Sequence, residues 1–221
     1  MNRKTFDQQL NELHMDIIRM GSLIENAIEN SIAAFKNEDK HLARSIMERD
    51  REINILEKQI ESRCLSLIVR QQPVAADLRK ISAALKLITD MERIGDNASD
   101  IAELTLRIRG EHIYTMVEHI PPMATIAVEM VHGAITSFVH SDLQKAKEIE
   151  QRDDEVDELF NLVKNELVNI LKEKKEECYD NAIDFLMIAK YLERIGDHAV
   201  NICEWVEFQK TGEHKHIKIM G

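Results

Sequence analysis

The chain has little of what a β-rich or disulfide-stabilised protein needs. Its 221 residues include 3 prolines, 7 glycines, 3 cysteines and 5% aromatic residues. This scarcity disfavours a many-stranded fold with tight turns, because such folds use glycine, proline and aromatic residues freely. The cysteines Cys64, Cys178 and Cys203 show no paired spacing, so we predict buried thiols in a reducing compartment. Long helices are the expected structure.

A targeting segment and an excess of positive charge are also missing. Residues 1–7 lack the apolar run of a signal peptide, and we expect no apolar stretch long enough to cross a bilayer. The 40 acidic residues outnumber the 29 basic ones and give a net charge of −11. Such a field repels phosphate groups, which disfavours nucleic-acid binding and also disfavours binding of bare phosphate unless a metal reverses the charge locally. We therefore expect a cytoplasmic protein that is not inserted in a membrane.

What the chain does contain is an internal duplication. The pentapeptide Glu-Arg-Ile-Gly-Asp occurs at residues 92–96 and again at residues 193–197. An offset of 103 residues aligns further identical pairs, among them Asp39 with Asp142 and Asp50 with Asp153. Internal similarity of this extent indicates two copies of one structural unit. We predict a first unit at residues 1–112 and a second unit at residues 113–221.

Caps and breakers divide each unit into three helices. Acidic or hydroxyl side chains suit N-caps, prolines suit first turns, and glycines suit left-handed stops. The residues in these roles are Asp39, Ser141 or Asp142, Pro73, Pro121, Pro122, Gly110 and Gly212. Apolar residues recur at alternating spacings of four and three in the third and sixth helices, which predicts a buried seam. The sequence therefore predicts an all-α fold of two tandem repeated three-helix bundles, with six long helices.

An acidic stripe lies away from this seam on the third and sixth helices. At about 100° per residue, its members fall on one side of each helix. They are Glu92, Asp96, Asp100 and Glu103 in the first unit and Glu193, Asp197, Asn201 and Glu204 in the second, with His198 as a further candidate ligand. Oxygen-bearing side chains on successive turns repel one another unless water, arginine or a hard cation offsets their charge. A solvated helix face and a metal site are the two interpretations.

Two glycines lie inside the same helices. Gly95 and Gly196 each cost about 1 kcal/mol relative to alanine at a helical position. Such a residue at corresponding places in both units indicates that another backbone or a bulky ligand approaches closely beside the stripe.

The segments at residues 90–98 and 191–202, together with residues 70–79, resemble the PhoU family of phosphate-signalling regulators. The resemblance covers essentially the whole chain. It implies two tandem three-helix bundles, often dimeric, that hold iron, zinc or other metals through a repeated Glu/Asp-x-x-x-Asp motif. By position the motif is Glu92 with Asp96 and Glu193 with Asp197, and the supporting ligands are Asp100 and Asn201. Carboxylates also accept manganese and magnesium, so the metal stays open.

The resemblance also implies a function. PhoU-family proteins are negative regulators of phosphate uptake and of phosphate-starvation genes, and they contact the ATPase subunit of the phosphate ABC transporter and a sensor histidine kinase. We therefore expect a non-enzymatic, homodimeric, metal-binding adaptor. Two alternatives stay open. One is a regulator of another anion transporter, and the other is a carboxylate-bridged di-metal oxidase, for which the chain offers one Glu-x-x-His motif, Glu129 with His132.

Overall fold

Helices make up nearly all of the described part of the molecule. The structure, a computed structural model, describes residues 3–109, 117–172, 179–214 and 217–218. In chain order the elements are α1 (Arg3–Asn37), α2 (Lys40–Gln71), α3 (Ala75–Arg107), α4 (Ile120–His140), α5 (Leu143–Gln151), α6 (Asp153–Lys172), α7 (Tyr179–Thr211), and the strands β1 (Glu213–His214) and β2 (Ile217–Lys218). The strands pair antiparallel. The predicted unit boundary after residue 112, the predicted stop at Gly110 and the thiol of Cys178 lie outside the described residues.

The fifth predicted helix is interrupted at Arg152, so it becomes α5 and α6. The N–H of Arg152 donates to the carbonyl of Ile149 at 3.0 Å, and the N–H of Glu155 donates to the carbonyl of Arg152 at 3.0 Å. These bonds span three residues rather than four, which is the tighter 3₁₀ pattern. Because α5 and α6 together correspond to α2, the predicted layout of two tandem three-helix bundles is confirmed.

The helix ends follow the predicted signals. The Asp39 carboxylate accepts hydrogen bonds from two N–H groups of the first turn of α2, at 2.9 and 3.0 Å. Asp142 accepts from an N–H of α5 at 3.1 Å, whereas Ser141 adopts a left-handed conformation with φ 53° at the end of α4. Asp142, and not Ser141, is therefore the N-cap of α5. Gly212, with φ 82°, ends α7 in the predicted left-handed conformation.

The predicted apolar seams are buried and belong to one hydrophobic core. α3 packs against both α2 and α7, and α1 packs against α4, so each repeat covers part of the other. The alternating spacing of four and three places these side chains on one face of each helix. The buried seam residues are Leu87, Met91, Ile94, Ala98, Ile101 and Thr105 in α3, Ile108 directly after it, and Ile188, Leu192, Ile195, Ala199, Ile202 and Val206 in α7.

α4 corrects one expectation from the sequence. Ile120–His140 is long and apolar enough to cross a membrane by length and composition, with a mean hydropathy of 1.3 over 18 residues. However, 56% of this window is buried inside the protein, where α4 contacts α1, α5, α6 and α7. A helix that is covered on several sides by other helices is apolar over most of its surface. Packing in the bundle therefore accounts for the composition of α4.

Candidate metal centre

The acidic residues of α3 face carboxylates on α2. A Cβ atom added to Gly95 would lie 2.9 Å from Cδ1 of Ile53 and 3.7 Å from Oδ1 of Asp50. The close neighbours of Gly95 are side chains of α2, not the backbone or bulky ligand that the sequence predicted. This approach gathers the residues that we call the first acidic cluster: Asp50, Glu57, Glu92 and Asp96.

Asp50 is the member of the first acidic cluster that contributes a buried oxygen without a hydrogen-bond donor among the described residues. Burial raises its pKa, and the nearby carboxylate of Asp96 raises the pKa further. The side-chain amide of Asn54 donates a hydrogen bond to Oδ2 of Asp50 at 2.9 Å. Oδ1 is buried and has no hydrogen-bond partner among the described residues. A buried carboxylate oxygen without a donor costs free energy, so this atom is a candidate for a cation ligand.

Arginine offsets only part of the negative charge of the first acidic cluster. Arg93 Nη1 lies 3.2 Å from Oδ2 of Asp96, and Nε lies 3.5 Å from Oε2 of Glu92. Burial and then the Asp96 carboxylate raise the pKa of Glu92. The Arg93 side chain is 59% exposed, so water screens both ion pairs. The cluster therefore keeps a negative field that attracts cations.

The second repeat builds a corresponding cluster from α6 and α7. A Cβ atom on Gly196 would lie 3.1 Å from Oδ1 of Asp153, so this glycine also faces a carboxylate. Burial raises the pKa of Asp153 to about 6, and the carboxylate of Asp197 is the next largest cause. Burial and then Glu193 raise the pKa of Asp197, while Glu193 is ion-paired with Lys190. The second acidic cluster consists of Asp153, Asp157, Glu193 and Asp197.

The later half of each predicted stripe turns toward the opposite repeat. Asp100 on α3 accepts a hydrogen bond from the hydroxyl of Tyr191 on α7. Asn201 Nδ2 on α7 donates to Oδ1 of Asp90 on α3 at 3.0 Å, and His198 Nδ1 donates to the same oxygen at 2.9 Å. These side chains therefore connect α3 to α7. Asn201 and His198 also line, together with Asp96, Asp100 and Asp197, a cleft of about 650 Å³ between α3 and α7.

The two outermost candidate ligands are separate from the clusters. Glu103 is exposed on α3. Glu204 is buried, at 8% exposure, and its Oε2 lies 3.6 Å from Nε2 of His214 on β1. The structure thus places Glu92 with Asp96 and Glu193 with Asp197 as the motif requires, whereas Glu103 and Glu204 have other surroundings.

Both clusters are open arrangements. Across residues 3–109, 117–172, 179–214 and 217–218, no three carboxylate, imidazole or thiol groups stand close enough, as placed, to hold a metal ion. Repulsion between like charges favours such spreading when no cation is bound. The donor set consists of carboxylate oxygens, which suit hard cations, and it includes the unpartnered Oδ1 of Asp50. The chemistry of the donor set therefore fits a hard cation, whereas the carboxylates as placed do not converge on one point.

The carboxylates of α2 and α6 lie outside the acidic stripe that the sequence predicted. The offset of 103 residues already paired Asp50 with Asp153, and it also pairs Asn54 with Asp157. Asp153 and Asp157 have the same four-residue spacing as Glu193 and Asp197, so they lie on one helix face. This second repeated spacing was the signal that could have identified them.

Comparison with known proteins decides the family. The model of the PhoU domain matches residues 17–105 and 120–206, one match in each repeat. The chain belongs to the PhoU family. A relative from Clostridium acetobutylicum, named phosphate-specific transport system accessory protein PhoU homolog, is 39% identical over 214 residues and covers 96% of this chain and 97% of its own length.

Solved PhoU structures share the fold. The crystal structure of the phosphate transport system regulatory protein PhoU from Streptococcus pneumoniae superposes with a TM-score of 0.88 at 27% identity, covering 96% of this chain and all of that one. PhoU from Pseudomonas aeruginosa gives a TM-score of 0.85 at 31% identity, covering 94% of this chain. These matches confirm both the family and the fold that the sequence predicted.

Proposed function

We propose that this PhoU-family chain is an accessory regulator that restrains phosphate uptake and phosphate-starvation signalling, and that it works as a metal-binding adaptor. Relatives that match nearly the whole chain are named accessory or regulatory proteins of phosphate transport. Because coverage is nearly complete in both directions, the likeness extends to the whole two-bundle architecture and not to a single shared module. This supports a common role.

The observation that carries the metal proposal is the duplicated acidic cluster around a glycine contact. In repeat one, Asp50, Glu57, Glu92 and Asp96 supply the ligands, and Oδ1 of Asp50 is already buried without a donor among the described residues. In repeat two, the ligands are Asp153, Asp157, Glu193 and Asp197. Iron, zinc, manganese and magnesium all accept carboxylate oxygens, and iron or zinc is the family expectation. A bound cation supplies positive charge to an otherwise acidic surface.

Metal content tests this part of the proposal. The protein is stripped with EDTA, reloaded separately with Fe²⁺, Zn²⁺ or Mn²⁺, and analysed by mass spectrometry of the metal. We expect the D50N/D96N variant to lose the metal of repeat one and the D153N/D197N variant to lose that of repeat two. Glu103→Gln, an exposed carboxylate on α3, is the matched control and keeps the wild-type content. If a variant with all four substitutions keeps the wild-type metal content, the two acidic clusters are not the metal site.

The adaptor role is the second part of the proposal. The proposed partners are the ATPase subunit of the phosphate ABC transporter and a sensor histidine kinase, met by a homodimer at the cytoplasmic face of the membrane. A regulator of this kind acts by binding one state of the transporter more tightly than another. Affinity purification from phosphate-replete cells, followed by mass spectrometry, tests the partners, and light scattering tests the dimer. Recovery of neither partner in cells that express both contradicts the adaptor role.

The two alternatives are tested differently. A regulator of another anion transporter changes uptake of that anion, so radiolabelled phosphate and sulfate uptake in a deletion strain separates the two assignments. The Glu-x-x-His motif does not support the oxidase alternative. Glu129 binds Arg152 at 2.7 Å and His132 binds Glu25 at 3.2 Å, so the two side chains face different neighbours.

A further inference from the structure

Repeat one contains a cavity of about 470 Å³ between α1, α2 and the middle of α3. Its apolar lining includes Leu23, Ala27, Ile46 and Ile53, and its charged lining consists of Arg49, Asp50 and Glu52. The volume falls within the range of roughly 300 to 1,000 Å³ that is usual for small-molecule sites. Repeat two provides an internal comparison, because each lining position has a counterpart there.

Side-chain size explains why the space is open in repeat one. Ala27 corresponds to Met130, which is fully buried and whose Cε lies 3.8 Å from the Cβ position of Gly196. Asn30 corresponds to Gly133, and Ile149 packs against this glycine so closely that a Cβ there would lie 2.8 Å from Cγ1 of the isoleucine. Larger or closer side chains thus occupy in repeat two the positions around which repeat one leaves a cavity.

The cavity also separates two apolar clusters in repeat one. Ala34, Ala43, Ile46 and Ala102 form a small cluster apart from the main core, and Ala27 touches both. The side-chain amide of Asn30 does not reach across the gap, because its Nδ2 donates to the carbonyl of Asn26 one turn earlier on α1. Protein side chains therefore leave the space between the two clusters unfilled.

The ion pairing of the arginine at this position also differs between the two repeats. Arg152 in repeat two binds Oε2 of Glu129 at 2.7 Å. Its counterpart Arg49 has no ion-pair or hydrogen-bond partner among the described residues, because neutral Asn26 stands where Glu129 stands in repeat two. Asn26 turns its amide to the carbonyl of Ser22 at 2.6 Å instead. Repeat one thus lacks the counterparts of the Glu129 carboxylate and the Met130 side chain, although it keeps Glu52 where repeat two has Glu155.

We propose that this cavity binds a small organic carboxylate with an apolar body. The carboxylate binds the Arg49 guanidinium as Glu129 binds Arg152, and the apolar body occupies the space that Met130 fills in repeat two. The inference rests on the comparison of the two repeats. Because Asp50 lines the cavity and also belongs to the first acidic cluster, binding is measured on EDTA-treated protein, so that its failure is distinguishable from loss of metal. It gives repeat one a ligand site that repeat two does not share.

Competition with a fluorescent anion tests this site on the full-length protein. The probe is 8-anilinonaphthalene-1-sulfonate, an organic anion with an apolar body, and the competitors are octanoate and n-octylammonium, which have equal chains and opposite charges. We expect one saturable probe site per chain, displaced by octanoate at a concentration about tenfold lower than by n-octylammonium. Equal displacement by the two competitors overturns the assignment to an anion.

Variants of cavity residues test whether the probe binds in the cavity. Ala27→Met fills the apolar part of the cavity and is expected to weaken binding at least about tenfold, and Arg49→Gln is expected to weaken it about tenfold. Asn26→Glu supplies an internal carboxylate to Arg49, so we expect it to weaken binding as much as Arg49→Gln does. Asn26 and Arg49 are both exposed, so these two variants test the site even if Ala27→Met folds poorly. Arg51→Gln, an exposed arginine of α2 outside the cavity, is the control with unchanged binding. Wild-type affinity in all three cavity variants overturns the proposal.

Discussion

The Asp90 carboxylate on α3 accepts a hydrogen bond from His198 Nδ1 on α7 at 2.9 Å. The same carboxylate accepts from Asn201 at 3.0 Å and from the Trp205 indole at 3.3 Å, so one acidic residue of repeat one serves three donors of repeat two. Only 16% of the Asp90 side chain is exposed, which makes these bonds hard for water to replace. The residue therefore fixes how α3 and α7 lie against each other.

We predict that Asp90→Asn destabilises the protein by about 1 to 3 kcal/mol, because the new amide directs its N–H groups at donors and leaves them unsatisfied. Urea unfolding followed by circular dichroism measures the change. Glu103→Gln, on the exposed side of the same helix, serves as control and is expected to stay within about 0.5 kcal/mol of the wild type. Equal midpoints for Asp90→Asn and the wild type contradict this role.

The pKa of Asp153 predicts a pH-dependent stability of the metal-free protein. The folded state raises this pKa from 3.8 to about 6, so the folded protein binds the proton more tightly than the unfolded chain does. The free energy of unfolding therefore decreases as the pH rises between these two values and levels off above about 6. Because Asp153 is half-buried and screened by water, the effect is roughly 1 kcal/mol.

Asp153→Asn removes this titration. In EDTA at neutral pH we expect the variant to be more stable than the wild type by roughly 1 kcal/mol, and below about pH 4 we expect the two to converge. Thermal unfolding across this pH series measures the difference. A variant that is less stable than the wild type at neutral pH shows that Asp153 is held by favourable contacts instead.

Gly133 lies at a close contact between α4 and α5 in repeat two, so a larger side chain there is expected to destabilise the protein. A Cβ atom there would overlap Cδ1 of Ile149 and approach its Cγ1, so Gly133→Ala forces the two helices apart. Overpacking costs about 1 to 3 kcal/mol and outweighs the gain in helix propensity of about 1 kcal/mol. We expect a net loss near 1 kcal/mol by urea unfolding. Asn30→Ala at the corresponding place in repeat one, beside the cavity, is expected to be nearly neutral.

Cys64 is predicted to be unreactive in the folded protein. Its thiol is fully buried, and burial raises its pKa to about 12, so almost no thiolate forms at neutral pH. Alkylation with iodoacetamide followed by peptide mass spectrometry is expected to leave Cys64 unmodified in buffer and to modify it in concentrated urea. Rapid labelling in buffer indicates that the α1–α2 packing opens locally.

Much of the fold is local in origin, and the sequence therefore predicts it. Asp39, Asp142 and Gly212 end or begin helices through bonds to residues within four positions, and such signals do not depend on tertiary contacts. The buried seams of α3 and α7 are also readable, because the spacing of apolar residues fixes one face of each helix. The duplication then gives the number of bundles.

The tertiary contacts of the polar residues cannot be predicted from such local signals. A helical repeat shows that Asp96 and Asp100 share a side of α3, but it does not show that the first faces Asp50 of α2 and the second faces Tyr191 of α7. Those neighbours depend on how the helices cross. The break at Arg152 has the same origin, since this residue binds Glu129 on α4, a partner 23 positions earlier in the chain.

The apolar surface of α4 has a consequence for biosynthesis. A segment with the composition of a bilayer span, emerging alone from the ribosome, risks aggregation or delivery to a membrane. α1 contacts α4 in the finished protein and precedes it in the chain, so part of its shelter is synthesised first. Because domains fold from the N-terminus onward, we expect α1 to cover part of α4 as soon as the second repeat is synthesised.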